Sequence, residues 1–171
     1  MSWEFRLKAK HNLRMDLNLS NKTALVCGST QGIGWAAAQQ LALQGAKVIL
    51  MARNEEMLEK RSAALPSPTG AEHAYQVADF SSNEQVRTAI SRLTEKESVH
   101  ILINNTGGPP PGPAHQAEAD AFLTAFRNHL INNQILAQHC LSGMKDAGFG
   151  RIVNVISTSV KIPLKGLGVS N

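Results

Sequence analysis

Short apolar runs alternate with longer stretches of helical spacing, and the alternation predicts five strand and helix units in turn. Thr23 to Cys27 is apolar, short and bounded by polar residues, which suits a strand buried on both faces. From Gly32 onward, Ile33, Ala37 and Leu41 recur every four residues beside Gln39, Gln40 and Gln44, which is helical spacing, and Gly45 stops that helix. Lys47 to Met51 is the second apolar run. Asn54 is placed to cap a helix whose first turn carries Glu55 and Glu56, at the end where the helix dipole favours negative charge. Pro66 to Gly70 reads as a loop, and Ala71 to Val77 as a third strand, weakened by Glu72, His73 and Gln76. Ser81 and Glu84 form a capping-box pattern that opens a helix running to Glu95. Val99 to Ile103 is the fourth strand. Residues 117–147 then show helical patterning on Phe122, Phe126, Leu130, Ile135 and Leu141, ending at Gly148, and Arg151 to Ile156 is the fifth strand. Such alternation predicts an α/β fold, a doubly wound parallel sheet with helices on both faces. Ligands of such sheets bind at the carboxyl ends of the strands, so the residues just after each run hold the candidate chemistry.

The first of these ends is the turn Gly28-Ser29-Thr30-Gln31-Gly32-Ile33-Gly34, a G-x-x-x-G-x-G pattern between a strand and a helix. Three glycines there let the backbone N–H groups of a helix N-terminus approach a phosphate, because only glycine leaves room for so close a contact. Trp35 stands where a P-loop would carry its lysine and hydroxyl residue, which argues against that motif. After the second run comes Arg53. A site for NAD(H) or S-adenosylmethionine usually places an acid there for the ribose hydroxyls, whereas an arginine pairs with a 2′-phosphate, so NADP(H) is expected over NAD(H).

Composition changes this picture little. The 171 residues are 43% apolar and 18% charged, enough for one domain with a buried core. The formal charge of +4 belongs mainly to residues 1–14, where Arg6, Lys8, Lys10 and Arg14 face only Glu4. Met15 looks like a second, more natural start, and residues 1–14 read as an extension. With eight aromatic residues and no basic stripe, nucleic acid is not an expected partner. No stretch approaches the roughly 18 apolar residues of a membrane span, so no membrane partner is expected. Cys27 and Cys140 have no metal-type spacing and read as buried free thiols in a reducing, cytoplasmic setting, with no metal site.

Four motifs in order carry a resemblance to a known family: the glycine turn, Ala78-Asp79-Phe80 after the third run, Asn104-Asn105-Thr106-Gly107 after the fourth, and the Arg151 to Ile156 strand leading into Ser157. Together they resemble the short-chain dehydrogenase/reductase family, its 3-oxoacyl-carrier-protein reductases among others, over residues 20–170. The resemblance implies a Rossmann-type fold and hydride transfer between a nicotinamide and a small carbonyl or alcohol substrate. It implies that Asp79, with Phe80, meets the adenine, and that Asn105, Thr106 and Gly107 lie near the cofactor ribose, Thr106 replacing the family's alanine. Ser157 matches the family serine that positions the substrate oxygen. The family asparagine of the long helix falls at His129, beside Asn128, and the family's proton-donating tyrosine falls at Ser170. Serine is not ordinarily an acid near neutral pH. The proline-rich stretch after Gly108 reads as a rigid rim of the cleft, and Pro163, Leu164, Leu167 and Val169 suggest an apolar wall.

The family continues through an active-site helix and further strands. Residues 15–171 therefore read as an incomplete dinucleotide-binding domain whose C-terminal strands and active-site helix are missing. Lys161 would suit a serine–lysine hydrolase only if serine stood at 158, where Thr158 does, so it reads as a solvent-facing charge. Two readings stay open. One is an NADP(H)-dependent oxidoreductase, a homodimer or homotetramer by family analogy. The other is a nucleotide-binding protein on the same fold that has lost its proton donor.

Overall fold

The computed structural model describes residues 17–171, so the extension expected over residues 1–14 lies outside the described residues. Five parallel strands form one sheet in the order β3-β2-β1-β4-β5. They are β1 (Thr23–Cys27), β2 (Lys47–Ala52), β3 (Ala74–Val77), β4 (Ile101–Asn104) and β5 (Arg151–Asn154). Between them run α1 (Gly32–Leu43), α2 (Glu55–Ala63), α3 (Asn83–Thr94), α4 (Ala119–Phe126) and α5 (Asn132–Asp146), the last two joined by a π-helical turn over Arg127–Ile131. The Rossmann-type doubly wound fold expected from the sequence is therefore present. The third, fourth and fifth strands are each shorter than their apolar runs.

β1 is buried on both faces because it lies at the centre, with Val26 paired to Leu50 on one side and to Ile103 on the other. Alternate strand residues feed two cores. Leu25, Cys27, Ile49, Met51 and Leu102 pack with Val86 and Ile90 of α3 and with Leu136 and Cys140 of α5. Ala24, Val26, Val48, Leu50 and Ile103 pack with Ala38 and Ala42 of α1 and Leu58 of α2. Each large aliphatic side chain so buried contributes about 1.5–3 kcal/mol. Both cysteines are free and buried, and desolvation raises the pKa of each thiol, that of Cys140 to about 12. Two histidines in the loops anchor the strand starts: His100 Nδ1 accepts from the Thr23 N–H and His73 Nδ1 from the Val48 N–H, both at 3.0 Å. His73 Nε2 also lies 3.0 Å from the Pro66 carbonyl, and β3 begins at the next residue, Ala74.

Capping follows the sequence closely. Asn54 accepts from the Met57 N–H at 2.9 Å, and Gly45, at φ +93°, ends α1. The α3 cap is Ser82 rather than Ser81, whose N–H is held by Asp79 instead. The buried faces differ more. α1 turns Gly34, Ala38 and Ala42 to the sheet and leaves Ile33 64% exposed, because close approach to the glycine turn admits only small residues. In the long helical segment only Ile135 of the five patterned residues is buried, and Phe126 is 55% exposed. The π turn adds a residue to one turn and so shifts the phase, and α5 buries Asn132, Ile135, Leu136, Cys140 and Met144.

Candidate functional site

The glycine turn leaves β1 with Gly28 at φ +56°, its N–H donating to the Met51 carbonyl at 2.9 Å. Asn105, just beyond β4, closes over it, its Nδ2 donating to the carbonyls of Gly28 at 3.2 Å and Cys27 at 3.4 Å. A Cβ at Gly28 would stand 2.5 Å from the Asn105 carbonyl oxygen, and one at Gly34 would collide with the Gly28 carbonyl oxygen. These two glycines are needed for packing. Gly32 differs: it also has φ +56°, yet a Cβ there would meet nothing within 4 Å. Gln31 gives α1 no side-chain cap, the first turn carries no acid, and the first helical hydrogen bond is Trp35 N–H to Gln31 carbonyl at 3.2 Å. The N–H groups of Gly32, Ile33 and Gly34 thus precede the helical ladder at the positive end of a 12-residue helix.

The remaining turn residues are set by neighbours that the sequence did not single out. The Ser29 side chain is buried and its hydroxyl reaches the Met51 carbonyl at 3.5 Å. Arg61 of α2 donates from Nε to the Thr30 carbonyl at 3.1 Å and lies over the Trp35 ring, 4.5 Å from its centroid. Arg53 is exposed just past β2 and close enough for its charge to act on Asp79. The Asp79 carboxylate accepts from the Ser81 N–H at 2.9 Å, and that bond, more than Arg53, holds its pKa below the ordinary carboxylate value. The Phe80 ring packs on the core. Its carbonyl accepts from Asn132 Nδ2 at 2.7 Å, and Asn132, fully buried, also accepts from Asn83 Nδ2 at 2.6 Å. Asn132 has one trace in the sequence, an amide within an otherwise apolar face.

Asn104, the last residue of β4, ties that strand to its neighbour. Asn104 donates to Asn154 Oδ1 of β5 at 2.8 Å, and its own Oδ1 is buried without a partner among the described residues. Thr106 Oγ1 lies 2.7 Å from His129 Nδ1. His129 stands in the π turn, and burial lowers its pKa from the ordinary imidazole value. It lines a cavity of about 750 Å³ together with Gly107, the proline-rich loop, Asn128 and faces of α4. The rim is braced: Gly112 N–H donates to the Gly166 carbonyl at 2.6 Å, and Gly168 N–H to the Gly112 carbonyl at 2.8 Å. Val169 is the one residue of the expected apolar wall that reaches the cavity lining.

Ser157 and Ser170 are not among the lining residues. Ser157, just past β5, caps a short 3-10 turn over Thr158–Val160, accepting from Ser159 N at 3.1 Å and Ser159 Oγ at 2.8 Å. Ser159 Oγ is also 3.5 Å from the Ser170 carbonyl oxygen, so the buried Ser159 connects the two candidate serines. Lys161 is exposed. Among the described residues, no cluster of three or more side chains suits a metal ion, and no helix is long and apolar enough to cross a membrane.

A parallel doubly wound sheet with an uncapped, glycine-lined helix N-terminus at its carboxyl edge defines a Rossmann-type α/β protein. Residues 22–169 match the short chain dehydrogenase family, and the chain belongs to that family of oxidoreductases. It is 33% identical over 138 residues to the human inactive hydroxysteroid dehydrogenase-like protein 1, covering 80% of this chain and 42% of that one. It is 31% identical over 150 residues to the uncharacterized oxidoreductase YvrD of Bacillus subtilis, covering 88% of this chain and 56% of that protein. Among solved structures, L-sorbose reductase from Gluconobacter frateurii, complexed with NADPH and L-sorbose, superposes with a TM-score of 0.84 at 25% identity, covering 91% of this chain and 60% of that one. The chain thus spans about half the length of the curated relatives it matches.

Proposed function

We propose that the protein is an NADP(H)-dependent oxidoreductase acting on a small ketone or alcohol. The observation that carries this reading is the end of α1. Three N–H groups lie ahead of the helical ladder with no side-chain cap, no acid in the first turn and open space at Gly32, and a pyrophosphate fits such a place. In this reading Gly28 to Gly34 hold the phosphates through the backbone, Arg53 pairs with the 2′-phosphate, Asp79 and Phe80 flank the adenine, and Asn105, Thr106 and Gly107 border the ribose. NADPH in the sorbose reductase relative supports the choice of cofactor. When bound, the nicotinamide supplies or accepts the hydride. The chain's part is to orient the substrate oxygen, exclude water and move one proton. Ser157 would orient that oxygen once its hydroxyl is released from Ser159. A homodimer or homotetramer in the cytoplasm belongs to the same proposal, with Phe122 and Phe126 offering exposed apolar surface on α4.

A second reading has its own observation. By the resemblance Ser170 would stand at the family's proton-donating tyrosine, and the Ser157 hydroxyl oxygen already serves as a cap. Both suit a nucleotide-binding protein without turnover, and the human relative is named inactive. Titration with NADPH and with NADH, followed by the fluorescence of Trp35 beside the turn, tests the cofactor. Turnover on a panel of ketones and alcohols then separates the readings. Saturable NADPH binding with turnover supports the enzyme, and binding without turnover on any substrate supports the second reading.

A further inference from the structure

Two departures from the family pattern, Thr106 for alanine and His129 for asparagine, lie 23 residues apart in sequence and touch at 2.7 Å. Neither substitution alone suggests a role. Together they form a hydroxyl–imidazole pair in which the hydroxyl can accept from Nδ1–H or donate to a bare Nδ1, so the tautomer is what the pair leaves to be read. The π turn places the His129 ring in the cavity wall, and among the described residues its Nε2 makes no hydrogen bond. Of the candidate proton-handling side chains, His129, Ser157 and Ser170, only His129 borders the cavity. Asp120 on α4 is the other ionisable side chain in the lining, while the proline-rich loop and Val169 contribute none.

We propose that Nε2 of His129 exchanges the proton with the substrate oxygen and that Thr106 positions it, accepting from Nδ1–H so that the Nε2 lone pair faces the cavity. This rests on the oxidoreductase reading above. In the oxidising direction the alcohol O–H bond breaks and an N–H bond forms at Nε2. The electron pair left on oxygen becomes the second carbon–oxygen bond as the carbinol hydrogen leaves with its own pair to the oxidised nicotinamide. The resulting imidazolium keeps its Nδ1–H bond to Thr106. Reduction runs the same bonds backwards, the imidazolium giving its proton to the new alkoxide. Burial lowers the pKa of the ring, which favours the free base that alcohol oxidation requires.

The test reads the ring before it reads turnover. Nitrogen-15 NMR of the histidine side chains of the full protein, with His129 assigned by its absence in His129→Asn, should show Nδ1 protonated and Nε2 bare at mildly alkaline pH. Thr106→Val should mix the tautomers. An Nε2–H tautomer in the wild type overturns the proposal without any assay. With NADP+ and a secondary-alcohol panel, His129→Asn should lower kcat about a hundredfold, leave KM and NADPH binding unchanged, and remove the acid limb of the pH–rate profile. Wild-type turnover by His129→Asn overturns this inference alone, whereas no turnover by the wild type overturns the oxidoreductase reading and this inference with it.

Discussion

Replacing Gly34 with alanine sets two effects against each other. In a free helix the change gains up to about 1 kcal/mol, because alanine loses less backbone entropy. In this fold the new Cβ would collide with the Gly28 carbonyl oxygen and stand 2.8 Å from Asn105 Nδ2. Neither neighbour can yield: one is backbone in a left-handed turn, and the other is pinned by two carbonyls. Overpacking costs about 1–3 kcal/mol, and contact with fixed backbone belongs at the upper end. Setting about 3 against about 1 leaves a net loss near 2 kcal/mol, about 30-fold in the folded-to-unfolded ratio, or about 4–8 °C in Tm for a chain of this size. Urea unfolding followed by fluorescence should show a lower midpoint at an unchanged m-value. Gly32→Ala is the control: it meets no neighbour, so only its positive φ matters, at about 1–2 kcal/mol. A Gly34→Ala midpoint at or above wild type would refute the claim that α1 is locked against the turn.

Arg53→Ala should weaken NADPH binding about tenfold or more, the loss of a charge-assisted contact, while leaving NADH binding unchanged; equal losses for both in fluorescence titration would remove Arg53 from the 2′-phosphate. His100 has its pKa lowered by desolvation first and by Lys22 second, and its Nδ1 must stay unprotonated to accept from Thr23. With the folded pKa below the unfolded value of 6.5, its contribution to stability is complete above 6.5 and is lost as pH falls through the folded pKa. Unfolding curves between neutral and mildly acidic pH should show that loss, and His100→Gln should flatten it. Asn132→Ala should cost about 2–4 kcal/mol, since it strands the Phe80 carbonyl and the Asn83 amide near a buried site; a thermal-unfolding loss under ~1 kcal/mol would mean water replaces both bonds.

The central strands and the glycine turn could be read from the chain because burial on both faces leaves an unbroken apolar run, and Thr23–Cys27 is bounded as that run is. Asn54 was equally plain, since its cap depends on residues within one turn. Helix faces were harder. Bulky residues dominate any reading by periodicity, whereas α1 meets the sheet through Gly34, Ala38 and Ala42. No local pattern announced the π turn that rephases α4 and α5, and the helical pattern on Phe122, Phe126 and Leu130 did not reveal that they are exposed. At the site, residue types at strand ends pointed to the turn, Asn105 and Ser157. The contacts of Arg61 with the turn and of Thr106 with His129 are made across space, and only Thr106 and His129 could be flagged as substitutions in a motif, whereas the contact of Ser159 with Ser157 is local to one short turn.

Asn105 and Thr106 are consecutive, yet the first is bound to the glycine turn and the second to the wall of the cavity. One peptide plane and the dihedrals on either side of it separate their two α-carbons. The path from the turn to the imidazole is therefore short, running through two side chains on neighbouring residues. In the reading proposed above, the place that would hold the nucleotide and the place that would meet the substrate share one stretch of chain.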